Sequence, residues 1–186
     1  MDRLYLSENT FIAWNVIDYG FSERAIMKLF EWSKDEKINS CNFKLEENYK
    51  YIPTIIINSV GGSISDAWAV IDVMNNMPYP IRTVALGEVA SGGLTVFLAG
   101  TKGMRTSGEH TIFMLHHYRW GNSTGNYNDM RNRRVMEDSI HDDLLLYYAS
   151  KTNFERIYLE EKLSFKGDFF FNTKSAVEYG VVDRII

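Results

Sequence analysis

The sequence predicts an α/β protein, and three features carry that expectation. Strand-like and helix-like stretches alternate from end to end. The continuous run Thr54-Ile55-Ile56-Ile57-Asn58 is β-branched, as in a strand covered on both faces, and it feeds straight into Gly61-Gly62-Ser63. The same order of strand, glycine turn and helix recurs between Thr83 and Gly100. No Pro/Ser-rich linker, repeat or low-complexity tract divides the chain, so residues 1–186 are expected to form one domain. A chain of this length buries roughly 70% of its unfolded surface and needs no staples.

Taken in order, the first helix is predicted over Ser22 to about Lys34, with Ser22 as N-cap and Ile26, Leu29, Phe30 and Ser33 on one face. Residues 35–50 read as an exposed, charged connection. After the Thr54–Asn58 strand, Ser63 opens a helix, with Asp66 three residues on in the manner of a capping box. Ala67, Val70, Ile71 and Met74 recur along it at helical spacing, and Pro78 and Pro80 stop it. Thr83–Leu86 is the next strand, Gly87 a turn, and Ser91 to Ala99 an apolar helical stretch closed by Gly100. A strand over Thr111–Leu115 ends on His116-His117 and leads into a loop rich in Gly and Asn.

From Tyr127 to about Ala149 a long helix is predicted, with Met136, Ile140, Leu144 and Tyr147 on one side and Arg131, Arg133, Glu137, Asp138 and Asp142 around them. Its length suits it to project or to pack on a neighbouring subunit. A shorter helix near Phe154–Leu163, a loop over Phe165–Asn172, a helix over Ser175–Tyr179 capped by Gly180, and a strand over Val181–Ile186 complete the chain.

With 45% hydrophobic and 24% charged residues and a net charge of −4, the composition is that of an ordinary globular protein and offers no electrostatic footprint for nucleic acid. The single cysteine, Cys41, supports neither an internal disulfide nor a zinc cluster, which points to a reducing compartment: the cytoplasm, an organellar stroma or matrix, or a host cytoplasm for a viral protein. The start, MDRLYLSENTFIAW, carries charge at Asp2, Arg3 and Glu8 and does not read as a secretory signal. No apolar run approaches the ~20 residues that span a bilayer, so no membrane partner is expected.

Ser91 follows a buried strand and a short turn and begins an apolar helix, where free backbone N–H groups favour negative charge. Gly92 and Gly93 would let a substrate carbonyl approach the backbone. A serine capping a helix beside two packing glycines explains the same residues. Gly61-Gly62 offers a second set of N–H groups or merely a tight turn. It lacks the lysine of a phosphate loop and the third glycine of a dinucleotide fingerprint. His116 closes a strand, where α/β folds gather site residues. Adjacent side chains alternate faces, so at most one of His116 and His117 serves one site. No metal motif accompanies them. Asp168 sits in Gly167-Asp168-Phe169-Phe170-Phe171, an acid beside three aromatics that caps a turn or orients a histidine.

Together these segments resemble the ClpP family of self-compartmentalised serine peptidases over roughly residues 50–186. Ile57 to Ser63 is similar to that family's INSPGGS segment, Gly87 to Gly93 to its GxAASMG nucleophile segment, and Met114 to His117 to its MIHQ. Asp168 to Asp183 is similar to DRFLSAPEAVEYGLVD. The resemblance implies Ser91 as nucleophile, His116 as general base and Asp168 as orienting acid, with backbone N–H groups of Gly61 and Gly92 as the oxyanion hole. It further implies a crotonase-like fold with a handle over about residues 118–150 and two stacked heptameric rings. An AAA+ ATPase unfoldase is the implied partner, unfolded polypeptides the substrates, and this chain needs no cofactor. Val60, Gly92 and Tyr118 depart from the family's Pro, Met and Pro, and Ile56 replaces an aromatic of the ATPase-docking pocket; set against the family's pattern, the resemblance leads us to expect little of the N-terminal gate segment ahead of the first core strand. Two other readings remain: a non-catalytic ring subunit, and a crotonase-type acyl-CoA enzyme.

Overall fold

The computed structural model describes residues 9–43, 46–119, 125–165 and 167–186. Along the chain, β1 (Thr10–Ile17) leads to α1 (Tyr19–Ser33) and α2 (Glu36–Asn39), then a 3-10 turn over 46–51 leads to β2 (Thr54–Gly62) and α3 (Ile64–Asn75). There follow β3 (Arg82–Ala90), α4 (Gly92–Phe97), β4 (Arg105–Ser107), β5 (Ile112–Leu115) and α5 (Tyr127–Lys151). The chain closes with α6 (Arg156–Phe165), β6 (Phe169–Asn172), α7 (Thr173–Glu178) and β7 (Arg184–Ile185).

The strands β1, β2, β3, β4 and β7 pair in that order, all parallel. Beyond Ala85 the sheet forks: Thr83–Ala85 of β3 pair with β4, whereas Glu88–Ala90 pair with β5. Antiparallel to β5 runs β6, with Leu115 opposite Phe169. The β2 run predicted from its β-branched residues is covered on both faces, with Ile55, Ile56 and Ile57 all buried. Helices α1, α3 and α4 pack there through Leu29, Val70, Ile71, Leu94 and Phe97.

Several expectations shift in detail. Asp18, not Ser22, caps the first helix, accepting from Phe21 N–H at 2.7 Å. Ser22 is buried and donates to Asp66 Oδ1 at 2.7 Å, tying α1 to α3. Ser63 does cap α3, accepting from Asp66 N–H at 3.3 Å. The stretch after α1 is partly helical, with Ile38 fully buried. The segment expected as a loop over Phe165–Asn172 contains β6, and two strands, β1 and β4, were not expected. The face of α5 that packs includes the expected Ile140, Leu144 and Tyr147 and extends to His141, Leu145 and Tyr148, whereas the expected Met136 is exposed. Its N-terminal half, including Tyr127, Met130 and Val135, is exposed.

Beneath the sheet end, Arg105 is buried and fully engaged. It donates to Asp183, to the carbonyl of Lys151 and to that of Gly180. This ties β4, the end of α5 and the C-terminal segment together, and the guanidinium holds the Asp183 carboxyl below its ordinary range against the opposing effect of burial. No helix of the described residues is long and apolar enough to cross a membrane.

Candidate active site

Ser91 sits at the junction of β3 and α4. Its N–H donates to Met114 O of β5 at 2.9 Å, and its carbonyl accepts from Thr95 N–H at 3.0 Å. Between these anchors its backbone takes φ 50° and ψ −124°, a left-handed conformation that costs a non-glycine residue on the order of 1–3 kcal/mol. The hydroxyl makes no capping bond to α4. It is turned instead to His116 Nε2, 2.7 Å away. The helix-cap explanation of this serine therefore fails: a strained backbone aims its side chain at an imidazole.

His116 follows the last residue of β5. Its Nδ1 lies 2.6 Å from the carbonyl oxygen of His117. A carbonyl only accepts, so Nδ1 carries the proton and Nε2 presents a lone pair to the Ser91 hydroxyl. That is the tautomer a general base needs. His117 faces elsewhere, as alternation requires: it stacks on His141 of α5, with centroids 3.8 Å apart at 28°. His141 is buried, and among the described residues neither of its ring nitrogens has a hydrogen-bond partner. Burial and then the neighbouring His117 push its pKa down to about 4, against the opposing pull of Asp142, Asp138 and Glu160.

The glycine pair is placed one residue away from expectation. Gly61 is buried and its N–H donates to Ser59 Oγ at 3.1 Å, so the expected Gly61 oxyanion donor is already engaged. Ser63 N–H points to Ile17 O of β1 at 2.8 Å. Gly62 is exposed, lines a cleft with Ser91, Gly92 and His116, and its nitrogen lies 3.5 Å from where a Cβ on Gly92 would stand. Gly61 packs against the serine, a Cβ on it falling 2.7 Å from Ser91 Cβ, whereas Gly62 is the glycine of the pair that lines the cleft with Gly92. Ile64, Leu144 and Tyr148 form the apolar wall of the cleft, with the Tyr148 hydroxyl 2.9 Å from Thr95 Oγ1. Burial raises the Tyr148 pKa to about 12, so that hydroxyl stays protonated.

Asp168 precedes β6. Continuing the register by one step from the pair Leu115 and Phe169 sets Asp168 directly across from His116. Its carboxylate nevertheless bonds Arg119 Nη2 at 2.7 Å, and the two side chains are 40% and 62% exposed. An exposed pair of this kind contributes about 0–1 kcal/mol. The structure therefore brings Ser91 and His116 into contact and holds the Asp168 carboxylate on Arg119, a residue that sequence reasoning missed. Arg119 carries no motif; the one signal for it is a cation three residues after the histidine. Among the described residues no cluster of three or more His, Cys, Asp or Glu side chains is arranged to hold a metal.

A mostly parallel sheet whose strand ends deliver a serine hydroxyl to a correctly protonated imidazole, beside two glycine turns that line the same cleft, defines an α/β protein of the nucleophile-and-base class. The chain belongs to the Clp protease family, whose family model matches residues 16–186, and its sheet and long α5 are the crotonase-like fold expected above. It is 34% identical over 139 residues to the ATP-dependent Clp protease proteolytic subunit 1 of Prochlorococcus marinus subsp. pastoris, covering 70% of this chain and 65% of the relative. To the ATP-dependent Clp protease proteolytic subunit 2 of Thermobifida fusca it is 34% identical over 140 residues, covering 72% and 64%. To subunit 2 of Parasynechococcus marenigrum it is 33% identical over 142 residues, covering 71% and 66%. The chain thus spans 64% to 66% of the length of these relatives.

Proposed function

We propose that this chain is a serine endopeptidase that cleaves peptides and unfolded polypeptides by acyl transfer. The observation that carries the reading is the 2.7 Å contact from Ser91 Oγ to His116 Nε2, made by a serine whose backbone is strained and whose hydroxyl caps nothing. As Ser91 attacks the scissile carbonyl, its proton passes to His116 Nε2. The oxyanion is held by the backbone N–H groups of Gly62 and Gly92, and His116 then returns the proton to the leaving amine. Asp168 supplies the negative charge that supports the imidazolium. Water then attacks the acyl-enzyme, His116 Nε2 taking its proton and passing it to Ser91 Oγ as the acid product leaves, so protein, substrate and water supply every atom and we expect no cofactor or metal.

The relatives' names, which describe ATP-dependent proteolytic subunits, support a wider proposal. The chain assembles into stacked rings, heptameric by resemblance, and receives substrate from an AAA+ ATPase unfoldase that alone consumes ATP. A cytoplasmic location fits the single free Cys41. The exposed N-terminal half of α5, with Tyr127, Met130 and Val135 open, suits the handle of such an assembly. One observation favours a second reading, a ring subunit without turnover: Asp168 is engaged by Arg119, not by His116.

The test is native mass together with hydrolysis of a short fluorogenic peptide. A ring-sized particle whose activity disappears in Ser91→Ala is expected. A ring with no activity in the wild type favours the second reading, and activity that survives Ser91→Ala overturns the first.

A further inference from the structure

We propose that Arg119 controls the site by competing with His116 for the Asp168 carboxylate, so that the chain exchanges between a latched form, with Asp168 on Arg119, and an engaged form, with Asp168 on His116 Nδ1. The inference rests on the reading of Ser91 and His116 as nucleophile and base. The register places the acid for either role: Leu115 pairs with Phe169, so Asp168 stands opposite His116 one step beyond the paired ends. Side chains directly opposite on antiparallel strands have Cβ atoms about 4.5–5.5 Å apart, within reach of a rotamer change. Arg119, three residues after the base, takes the carboxylate at 2.7 Å.

Both groups that would meet in the engaged form are occupied by substitutes in the latched one. Asp168 has Arg119, and the Nδ1 proton of His116 has the carbonyl of His117 at 2.6 Å. The exchange breaks two hydrogen bonds, forms Nδ1–H to carboxylate, and returns the guanidinium to water; no proton and no covalent bond moves. With side chains 62% and 40% exposed, the latch is screened by solvent and opens readily.

What the latch withholds is charge and not geometry. The His117 carbonyl already fixes the productive tautomer, but a neutral carbonyl supports the imidazolium less than a carboxylate does. The other titratable groups around His116 do not replace it. His117 follows it in the chain and stacks on His141 of α5, and Tyr118 lines the cleft, its pKa raised by burial and by Glu137. From α5, Tyr148 stays protonated.

The experiment titrates the His116 imidazole by NMR in the full chain carrying 13C-labelled histidine, and in parallel follows the pH dependence of Ser91 acylation by a fluorophosphonate. The proteins compared are wild type, Arg119→Gln, Arg119→Lys, Asp168→Asn and the double variant Arg119→Gln/Asp168→Asn. Freeing Asp168 favours the charged imidazole, so Arg119→Gln should raise the His116 pKa by about one unit or more. The acid limb of acylation should move up with it, and the plateau should rise about tenfold, the effect of one such charge on the barrier. With Asp168→Asn on top of Arg119→Gln the His116 pKa should not rise and the plateau should fall below wild type to the level of Asp168→Asn alone, and Arg119→Lys, which keeps a cation, should titrate as wild type. An unchanged His116 titration in Arg119→Gln, or a change that persists in the double variant, overturns the latch. If no protein is labelled at Ser91, the nucleophile reading fails, and the titration still decides whether Arg119 holds the acid.

Discussion

Ser91 and His116 stand at strand ends whose backbone is bonded on both sides, whereas Asp168 and Arg119 stand on segments open to water. The Ser91 backbone is held by Met114 O and by Thr95 N–H, and behind it Val89, Ala90 and Leu94 are completely buried. A left-handed serine survives because these surroundings over-determine it. On the other side, the Arg119–Asp168 contact is a surface ion pair with little energy of its own. The difference teaches that the nucleophile–base contact is built into the core, while the placement of the acid is a soft equilibrium.

The largest expected effects fall on the rigid half. Ser91→Ala and His116→Ala should each lower peptide turnover by on the order of 10⁴–10⁶, because the two residues act as a unit. Asp168→Asn should lose less, roughly 10²–10⁴, since the His117 carbonyl keeps the productive tautomer and only charge support is lost. Steady-state kinetics on the three variants checks this, and an Asp168→Asn loss equal to that of Ser91→Ala would make the exposed half as decisive as the buried one.

A smaller effect sharpens the contrast from the back of the site. His141 has a folded pKa of about 4 against an ordinary 6.5. Above pH 6.5 both folded and unfolded states keep it neutral; below that the unfolded state takes the proton first. Stability is therefore full above about 6.5 and falls by up to roughly 1.4 kcal/mol per pH unit toward pH 4. His141→Phe, which keeps the stack on His117, should flatten that slope in urea unfolding compared at pH 7 and pH 5. An unchanged slope would show that His141 is not buried neutral.

Much of this arrangement was legible in the sequence where burial leaves a simple trace. The β2 run, the helical spacing of α3 and the strand ending at Leu115 were readable because apolar residues facing a core repeat with the period of their element. The strand end at Leu115 located His116, whereas β3 was read only over Thr83–Leu86 with a turn at Gly87 and in fact runs on to Ala90. By contrast, β1 was missed because its large apolar residues Ile12, Trp14 and Val16 are exposed while Ala13 and Ile17 are buried, and a register shift at Asn15/Val16 breaks the alternation. With three residues, β4 is too short for a period, and β6 hides in a run of three aromatics.

At the site, Gly61 and Gly62 are indistinguishable as letters. What separates them is that the Gly61 N–H is taken by Ser59 Oγ, while Gly62 lines the cleft with Ser91 and His116. The partner of Asp168 was equally hidden, because an ion pair across 49 residues leaves no local pattern. Cap assignment failed for a related reason: Asp18 and Ser22 are both good caps by type, and burial of Ser22 against Asp66 decides between them.

The most direct test of the account is site-resolved labelling of the wild-type chain with a fluorophosphonate, read by peptide mass. One adduct on Ser91, absent in His116→Ala and forming with a pH dependence that follows the His116 titration, is the expected result. Labelling at another serine, or of Ser91 at the same rate without His116, would contradict the claim that the serine–histidine contact is the working core of the site.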